Sequence, residues 1–225
     1  MRLEKLVADG AGVSRSDAKE LIKSGRVQLL DGEVFLDGKR LEAEEHLYLM
    51  LNKPEGFVCA TEDKREKTVL ELLGEGLSRK ELFPVGRLDK DTTGLLILTS
   101  DGAFAHAVTH PKKHIFKEYE LFTAEPMTAA DSEAILGGIE LRDGTRCRKA
   151  ALSIDPEDAK HGWLRLSEGK YHQVKRMLAA RGNRVEKLKR ISIGGLELDA
   201  ALMPGQFRLM SREQAEKVFE TCGEN

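Results

Sequence analysis

The most informative segment of the chain is Gly86-Arg87-Leu88-Asp89-Lys90-Asp91-Thr92-Thr93-Gly94-Leu95-Leu96, which continues as Ile97-Leu98-Thr99-Ser100-Asp101-Gly102. It places two carboxylates, hydroxyls and a glycine directly before an apolar run. The apolar run predicts a buried strand over Leu95–Thr99. Loops next to such strands commonly present reactive groups. The segment therefore predicts a polar, candidate reactive loop in front of a core strand.

Three other interpretations of this loop differ in what they require. A calcium loop would use Asp89, Asp91, Thr93 and Gly94, but its twelfth position is Ser100 and not the glutamate that such loops need. The Asp-x-Asp-x-Thr string also resembles the nucleophile loop of haloacid-dehalogenase-type phosphatases, which require Mg²⁺ and a later acidic pair. A turn that only connects strands explains the Thr, Gly and Asp-Gly residues equally well.

Outward from this loop, short apolar runs alternate with helical patterns. We predict an α+β fold with a mixed, largely antiparallel sheet. The predicted strands are Leu47–Leu51, Phe57–Thr61, Leu95–Thr99, Glu118–Thr123, Arg146–Ile154, Trp163–Leu166 and Ile191–Leu198. The predicted helices are Thr68–Leu73, Ala103–Thr109, Thr128–Leu136 and Tyr171–Arg181.

The N-terminal residues have a different pattern and predict a separate small domain. Two short helices are expected, the second opening with Ser14 and Asp17 in the form of a capping box. Turns are expected at Asp31-Gly32 and Asp37-Gly38. Basic side chains recur along one side of the second helix and just beyond it, within about a quarter of the helix circumference, namely Arg15, Lys19, Lys23 and Arg26. We predict domains at 1–45 and 46–225.

Composition excludes several classes of protein. The 225 residues are 40% hydrophobic and 33% charged, which argues against a disordered chain. No apolar run reaches the length of a membrane span and no secretory signal is visible, so we expect a cytoplasmic, membrane-free protein. Three well-separated cysteines favour neither disulfides nor zinc. His106, His110 and His114 have helical spacing, but Pro111 interrupts it, so no metal site is expected.

The net charge of −2 conceals a basic region. Ten Lys and Arg residues stand against two acids between Lys160 and Gly195. Nucleic-acid binding depends on such a local patch more than on the overall charge. A solvated surface remains the alternative.

The ordered motifs resemble those of pseudouridine synthases. Gly86–Leu96 is similar to the catalytic-aspartate motif, and the other two matching motifs are Asn52-Lys53-Pro54-x-Gly56 and Glu168-Gly169-Lys170-Tyr171-His172-Gln173-Val174-Lys175-Arg176-Met177. Lys117-Glu118-Tyr119 lies where that family has its active-site tyrosine. The N-terminal region resembles the S4 RNA-binding module. Together these features resemble the RsuA branch, which acts on small-subunit 16S rRNA.

The resemblance implies roles for individual residues. Asp89 would be the essential carboxylate, acting either as a nucleophile on C1′ or as the base that takes the 2′ proton. Tyr119 would stack on the uracil, and Lys175 would be the cation beside Asp89. His172 and Arg176 would face the same cleft. Arg87 would either occupy the space left by the extruded nucleotide or contact a phosphate. Lys53 would contact backbone phosphates, with a simple Lys-Pro turn as the alternative.

The resemblance also implies the partners. The expected substrate is 16S rRNA or an assembling small ribosomal subunit, with the uridine at position 516 as the target. No cofactor and no metal are expected, because the isomerisation needs no redox step and no group donor. We expect a monomer. A noncatalytic rRNA-binding assembly factor of the same fold remains the alternative.

Overall fold

The protein divides into two compact units, Met1–His46 and Leu47–Asn225. A computed structural model describes residues 3–11, 13–30, 33–41, 46–74 and 82–220. The predicted Asp31-Gly32 turn, the end of the first predicted domain at residue 45 and Cys222 lie outside the described residues.

The smaller unit combines two helices with a three-stranded antiparallel sheet. The helices are α1 (Leu3–Ala11) and α2 (Arg15–Lys23), and the strands are β1 (Val27–Leu30), β2 (Glu33–Leu36) and β3 (Lys39–Arg40). Ser14 caps α2, since its hydroxyl accepts the Asp17 N–H and donates to the Asp17 carboxylate. Both helices and β2 contribute to a small core, which is built on Val7, Ala8, Ala18 and Val34.

The larger unit is built around one nine-stranded sheet. Its strands are β4 (Tyr48–Lys53), β5 (Phe83–Pro84), β6 (Thr93–Thr99), β7 (Lys117–Thr123), β8 (Ala151–Ile154), β9 (His161–Leu166), β10 (Val185–Ile193), β11 (Leu196–Glu197) and β12 (Phe207–Met210). The main path is β12-β4-β6-β10-β7-β9-β8, with β5 on β6 and β11 on β10. Only the β6–β10 pairing is parallel among the described strand pairs. The prediction of an α+β fold with a mixed, largely antiparallel sheet is confirmed.

Helices cover both faces of this sheet. They are α3 (Gly102–Thr109), α4 (Ala129–Gly137), α5 (Gln173–Ala180) and α6 (Arg212–Glu216), with 3-10 turns at Val69–Leu73, Pro111–Lys113 and Lys217–Phe219. Leu96 and Leu98 of β6 share a core with Met177 of α5, whereas Leu95 and Ile97 share a second core with Phe104 of α3. Because β6 is apolar on both sides, it is fully enclosed. Among the described residues, no helix has the length and apolar character required to cross a bilayer.

Gly94 fixes the start of β6. Its backbone has φ of +98°, and a Cβ built there would lie 2.2 Å from the Arg190 carbonyl oxygen of β10. A side chain at this position would force the parallel β6–β10 pair apart. The glycine therefore anchors the polar loop, whose last residue is Thr92, against the centre of the sheet.

Five predicted elements differ from the structure. The predicted strand Ile191–Leu198 is the end of β10 followed by β11, and β10 begins earlier, at Val185. Phe57–Thr61 forms only an isolated bridge between Val58 and Thr68, and the Arg146–Ile154 strand is limited to β8. The helix predicted from Tyr171 begins at Gln173, because His172 has the left-handed φ of 48°. The Thr68–Leu73 helix is a 3-10 turn. The strand β12 was missed.

Candidate active site

Asp89 lies in the loop that leads into β6. Its side chain is 26% exposed, so solvent and a ligand can reach the carboxylate. The backbone around it is fixed: the buried Leu88 donates its N–H to Cys59 Sγ, and the Asp89 carbonyl accepts the Thr92 N–H at 3.1 Å. The apolar strand and the neighbouring buried Leu88 thus hold a reachable carboxylate at a defined position.

Lys53 supports this loop from beneath. Its side chain is fully buried, and its ammonium donates to the carbonyls of Pro54, Asp89, Lys90 and Thr92 at 2.8 to 3.3 Å. Burial lowers its pKa, although nearby acidic groups oppose this shift. The predicted phosphate contact of Lys53 is wrong, because a side chain without exposed surface cannot reach RNA. Lys53 positions the Asp89 loop instead.

Two side chains from the start of α5 surround Asp89. Lys175 Nζ lies 3.5 Å from Asp89 Oδ2 and 2.5 Å from Asp91 Oδ1. His172 Nε2 lies 3.5 Å from Asp89 Oδ1. The hydrogen bond from Lys175 lowers the pKa of Asp91, against the opposing effect of partial burial. The Lys175 ammonium is thus shared by the two carboxylates of the loop.

The backbone of His172 brings its ring toward Asp89. His172 is the N-cap of α5 and has φ of 48° and ψ of 37°, a left-handed conformation that non-glycine residues seldom adopt. Its ring stacks on Tyr171 with centroids 3.8 Å apart. Tyr171 is 69% exposed, which is unusual for so large a ring. Sequence reasoning missed this exposed aromatic, although its glycine-containing approach, Gly169-Lys170, indicated a loop.

Arg176 is not brought to Asp89. Its guanidinium pairs with Asp143, and Arg142 donates to the Ala179 carbonyl at 3.1 Å. The expected cleft-facing trio is therefore reduced to His172 and Lys175. Arg176 instead connects α5 to the segment around Asp143, and Val174, Met177 and Leu178 of α5 are buried.

Tyr119 lies on the sheet face that α5 covers. Its ring is buried, and its neighbours in register are Arg190 of β10 and Leu164 of β9. The hydroxyl makes no hydrogen bond to any described residue. Arg190 donates Nε to the Leu95 carbonyl at 2.8 Å, while its buried Nη2 has no partner within the described chain. Burial, followed by the charge of Arg190, lowers the pKa of nearby Lys117 to about 8.

The remaining predicted RNA contacts lie on the surface. Arg87 is exposed and has no ion pair within the described residues. Lys19 and Lys23 of α2 are exposed, whereas Arg26 pairs with Asp37 across the small sheet. The side chain of Arg15 lies outside the described residues. No group of three metal-ligating side chains occurs among the described residues.

This arrangement places the partly exposed Asp89 carboxylate between an ammonium, which it shares with the exposed Asp91, and an imidazole. The chain matches the family described as RNA pseudouridylate synthase over residues 47–180, more than half its length. The chain belongs to the RNA pseudouridylate synthase family. The family match begins just before β4 and ends with α5, so it includes Asp89, Tyr119 and Lys175.

Relatives of this family member match over almost the whole chain. It is 40% identical to an uncharacterized RNA pseudouridine synthase, YtzG, of Bacillus subtilis strain 168, over 95% of this chain and 96% of that protein. It is also 40% identical to ribosomal small subunit pseudouridine synthase A of Escherichia coli K12, over 97% of this chain and 100% of the relative. A crystal structure of a pseudouridylate synthase superposes with a TM-score of 0.73 at 36% identity, covering 97% of this chain and 99% of the other. The match therefore includes both compact units.

Proposed function

We propose that this pseudouridine synthase isomerises a specific uridine of small-subunit 16S rRNA, with Asp89 as the essential carboxylate and without a cofactor. The single observation that carries the proposal is the partly exposed Asp89 carboxylate between Lys175 and His172. The relative in Escherichia coli, named for the small ribosomal subunit, supports rRNA as the substrate. Both the chemistry and the specific target are tested below.

The reaction rearranges one nucleoside. The N1–C1′ bond breaks, the uracil turns, a C5–C1′ bond forms, the C5 proton leaves and N1 gains a proton, so atoms and electrons balance without an oxidant or donor. Asp89 either adds to C1′ or removes the 2′ proton. Both roles need the ionised carboxylate, and the Lys175 ammonium lies 3.5 Å from it.

The target nucleotide must leave its stack before Asp89 can reach the ribose. Extrusion costs a few kcal/mol, and least in a loop or an open helix. The Tyr119 ring lies on the α5-covered face with a hydroxyl free of hydrogen bonds to described residues, which supports a role in packing against the uracil. Residues 1–45 act as an S4-like module that holds the RNA through phosphates.

The decisive experiment compares Asp89→Asn with Asp91→Asn. Tritium release from C5-labelled uridine in 16S rRNA is expected from the wild type and to fall at least about 1,000-fold in Asp89→Asn, because loss of an essential nucleophile or base removes most of the rate enhancement. Asp91→Asn is the matched control, since it removes a carboxylate that shares Lys175 but leaves Asp89 in place. Its rate is expected within about tenfold of the wild type.

Two outcomes would contradict the proposal. Tritium release that is equal in wild type and Asp89→Asn would remove Asp89 from the chemistry. Wild-type protein that binds 16S rRNA without releasing tritium would favour the noncatalytic assembly factor. Mapping pseudouridines in rRNA from a deletion strain identifies the target base, and retention of activity in EDTA tests the absence of a metal requirement.

A further inference from the structure

A second concave surface of the larger unit is strongly basic. It is a groove of about 620 Å³ that includes Gly137, the last residue of α4, Gly138 just after it, and the charged side chains of Arg146, Arg148 and Lys149. His114, which follows the Pro111–Lys113 turn, completes it. We call these lining residues the basic groove; none of them belongs to the Asp89 cluster.

The basic groove has positive charge that the described protein does not neutralise. No Asp or Glu lines it. The side chains of Arg146 and Lys149 have neither a hydrogen bond nor an ion pair within the described residues, and both are exposed. The guanidinium of Arg148 contacts the imidazole of His114, another basic group, rather than an acid. Each of these groups gains from an anion placed in the groove.

One carboxylate bonded to this segment is already used. Glu168 accepts hydrogen bonds from the Arg148 N–H, the Lys170 ammonium and the Gln173 amide. Burial would raise the pKa of Glu168, but these bonds lower it overall. The Glu168 carboxylate therefore stabilises this segment and does not pair with the guanidinium and ammonium groups of the groove, which can bind an anion.

The same contacts connect the basic groove to the Asp89 site. Gln173 is the first residue of α5 and Lys175 follows two residues later. Arg176 pairs with Asp143, within the turn that leads to Arg146. The groove and the cation beside Asp89 are thus attached to one helix end, so a strand of RNA in the groove would be held at a fixed distance from Asp89.

We propose that the basic groove binds the phosphodiester backbone of the substrate RNA beside the extruded nucleotide. The proposal rests on the proposed function. Phosphate contacts fix the register of a nucleic acid on a protein without reading its sequence. The groove is open and its basic groups are spread along it, which suits a continuous chain of phosphates better than one small anion. Arg146 and Lys149 can bind phosphate without first breaking a side-chain contact within the described residues.

The test removes the two unpartnered charges in Arg146→Gln/Lys149→Gln and leaves Arg148, whose backbone is bound to Glu168. In the Asp89→Asn background, the affinity for a 16S rRNA fragment should fall and the slope of log K against log salt should decrease by about 1.4, since each single-strand phosphate contact contributes about 0.7. In the active background KM should rise while kcat at saturating RNA stays unchanged. The matched control is Arg212→Gln/Lys217→Gln, which removes two exposed charges outside the groove.

The outcomes separate this proposal from the proposed function. A wild type that makes no pseudouridine overturns the proposed function and, with it, the role of the groove. An active wild type with unchanged KM, affinity and salt slope in the groove variant overturns the groove alone. If the groove and control variants lose equal affinity and equal salt slope, the groove proposal is also overturned, because the effect would then come from overall charge. Both variants must match the wild type in circular dichroism spectrum and urea midpoint. If the groove variant is destabilised, it is replaced by Arg146→Lys/Lys149→Gln, which removes one charge and should lower the salt slope by half as much.

Discussion

Lys53 supports the loop that presents Asp89, although the sequence predicted that it would contact RNA phosphates. Its ammonium collects four carbonyl groups, and two of these belong to Asp89 and Lys90. A buried charge is tolerated when its donors are satisfied in this way. The sequence predicted a surface lysine because Lys is seldom fully buried, and only the folded loop supplies the acceptors that make burial possible.

Lys53→Met is therefore expected to destabilise the protein and to slow catalysis. The Asp89 and Lys90 carbonyls keep backbone partners in Thr92 and Gly56, so the loss is about 2 to 4 kcal/mol rather than that of four orphaned acceptors. Urea unfolding gives the free energy, and tritium release gives the rate. Lys90→Met, an exposed lysine of the same loop, should change stability by less than about 0.5 kcal/mol. Equal stability of both variants would contradict the bracing role.

At the scale of elements, the sequence predicted the continuously apolar strand β6 but not the charged first half of β10. β6 was predicted because its apolar run is continuous. The first half of β10 was missed because Val185-Glu186-Lys187-Leu188-Lys189 was interpreted as a basic patch. Phe57–Thr61 was predicted as a strand from its residue types, but Cys59 instead accepts a hydrogen bond from Leu88. Local propensity does not contain such tertiary contacts.

The antiparallel pair of strands β7 and β9 contains a pH-sensitive contact. His161 has ring nitrogens 2.8 Å from Asp155 and 3.1 Å from Glu120, and its ring stacks on Phe122. The hydrogen bond to Asp155, with a further contribution from Glu120, raises the pKa of His161 above its ordinary 6.5, against partial desolvation. Its stabilisation is therefore complete below pH 6.5 and is lost as pH rises through the folded-state pKa.

We expect the free energy of unfolding to fall with pH in this window and His161→Gln to flatten the decline. Urea unfolding over the window measures the stability, and the ring-proton shifts of His161 report its pKa directly. The control is His106→Gln, an exposed histidine without a carboxylate partner among the described residues, which should leave the decline in place. A His161 pKa at or below 6.5 would refute the assignment.

At the scale of the whole molecule, contacts between site residues that are distant in sequence could be predicted only from the family resemblance or seen in the structure. Asp89 and Lys175 are far apart in sequence, and the family motifs paired them correctly to within 3.5 Å. The same motifs did not show that Lys175 also binds Asp91 or that Arg176 turns to Asp143. These contacts depend on how α5 docks against the sheet, which a helical periodicity does not specify.

The proposed catalytic residues Asp89, Lys175 and Tyr119 all lie in the larger unit, whereas the exposed Lys19 and Lys23 lie in the smaller one. Lys19→Gln/Lys23→Gln should weaken binding to 16S rRNA and lower the salt slope by about 1.4 for two lost phosphate contacts. Because neither lysine belongs to the unit that contains Asp89, kcat at saturating RNA should not change. Lys39→Gln/Arg40→Gln is the matched control from β3. An unchanged slope in the α2 variant would leave these lysines as a solubilising surface, and a reduced kcat would show that the smaller unit also shapes the reacting site.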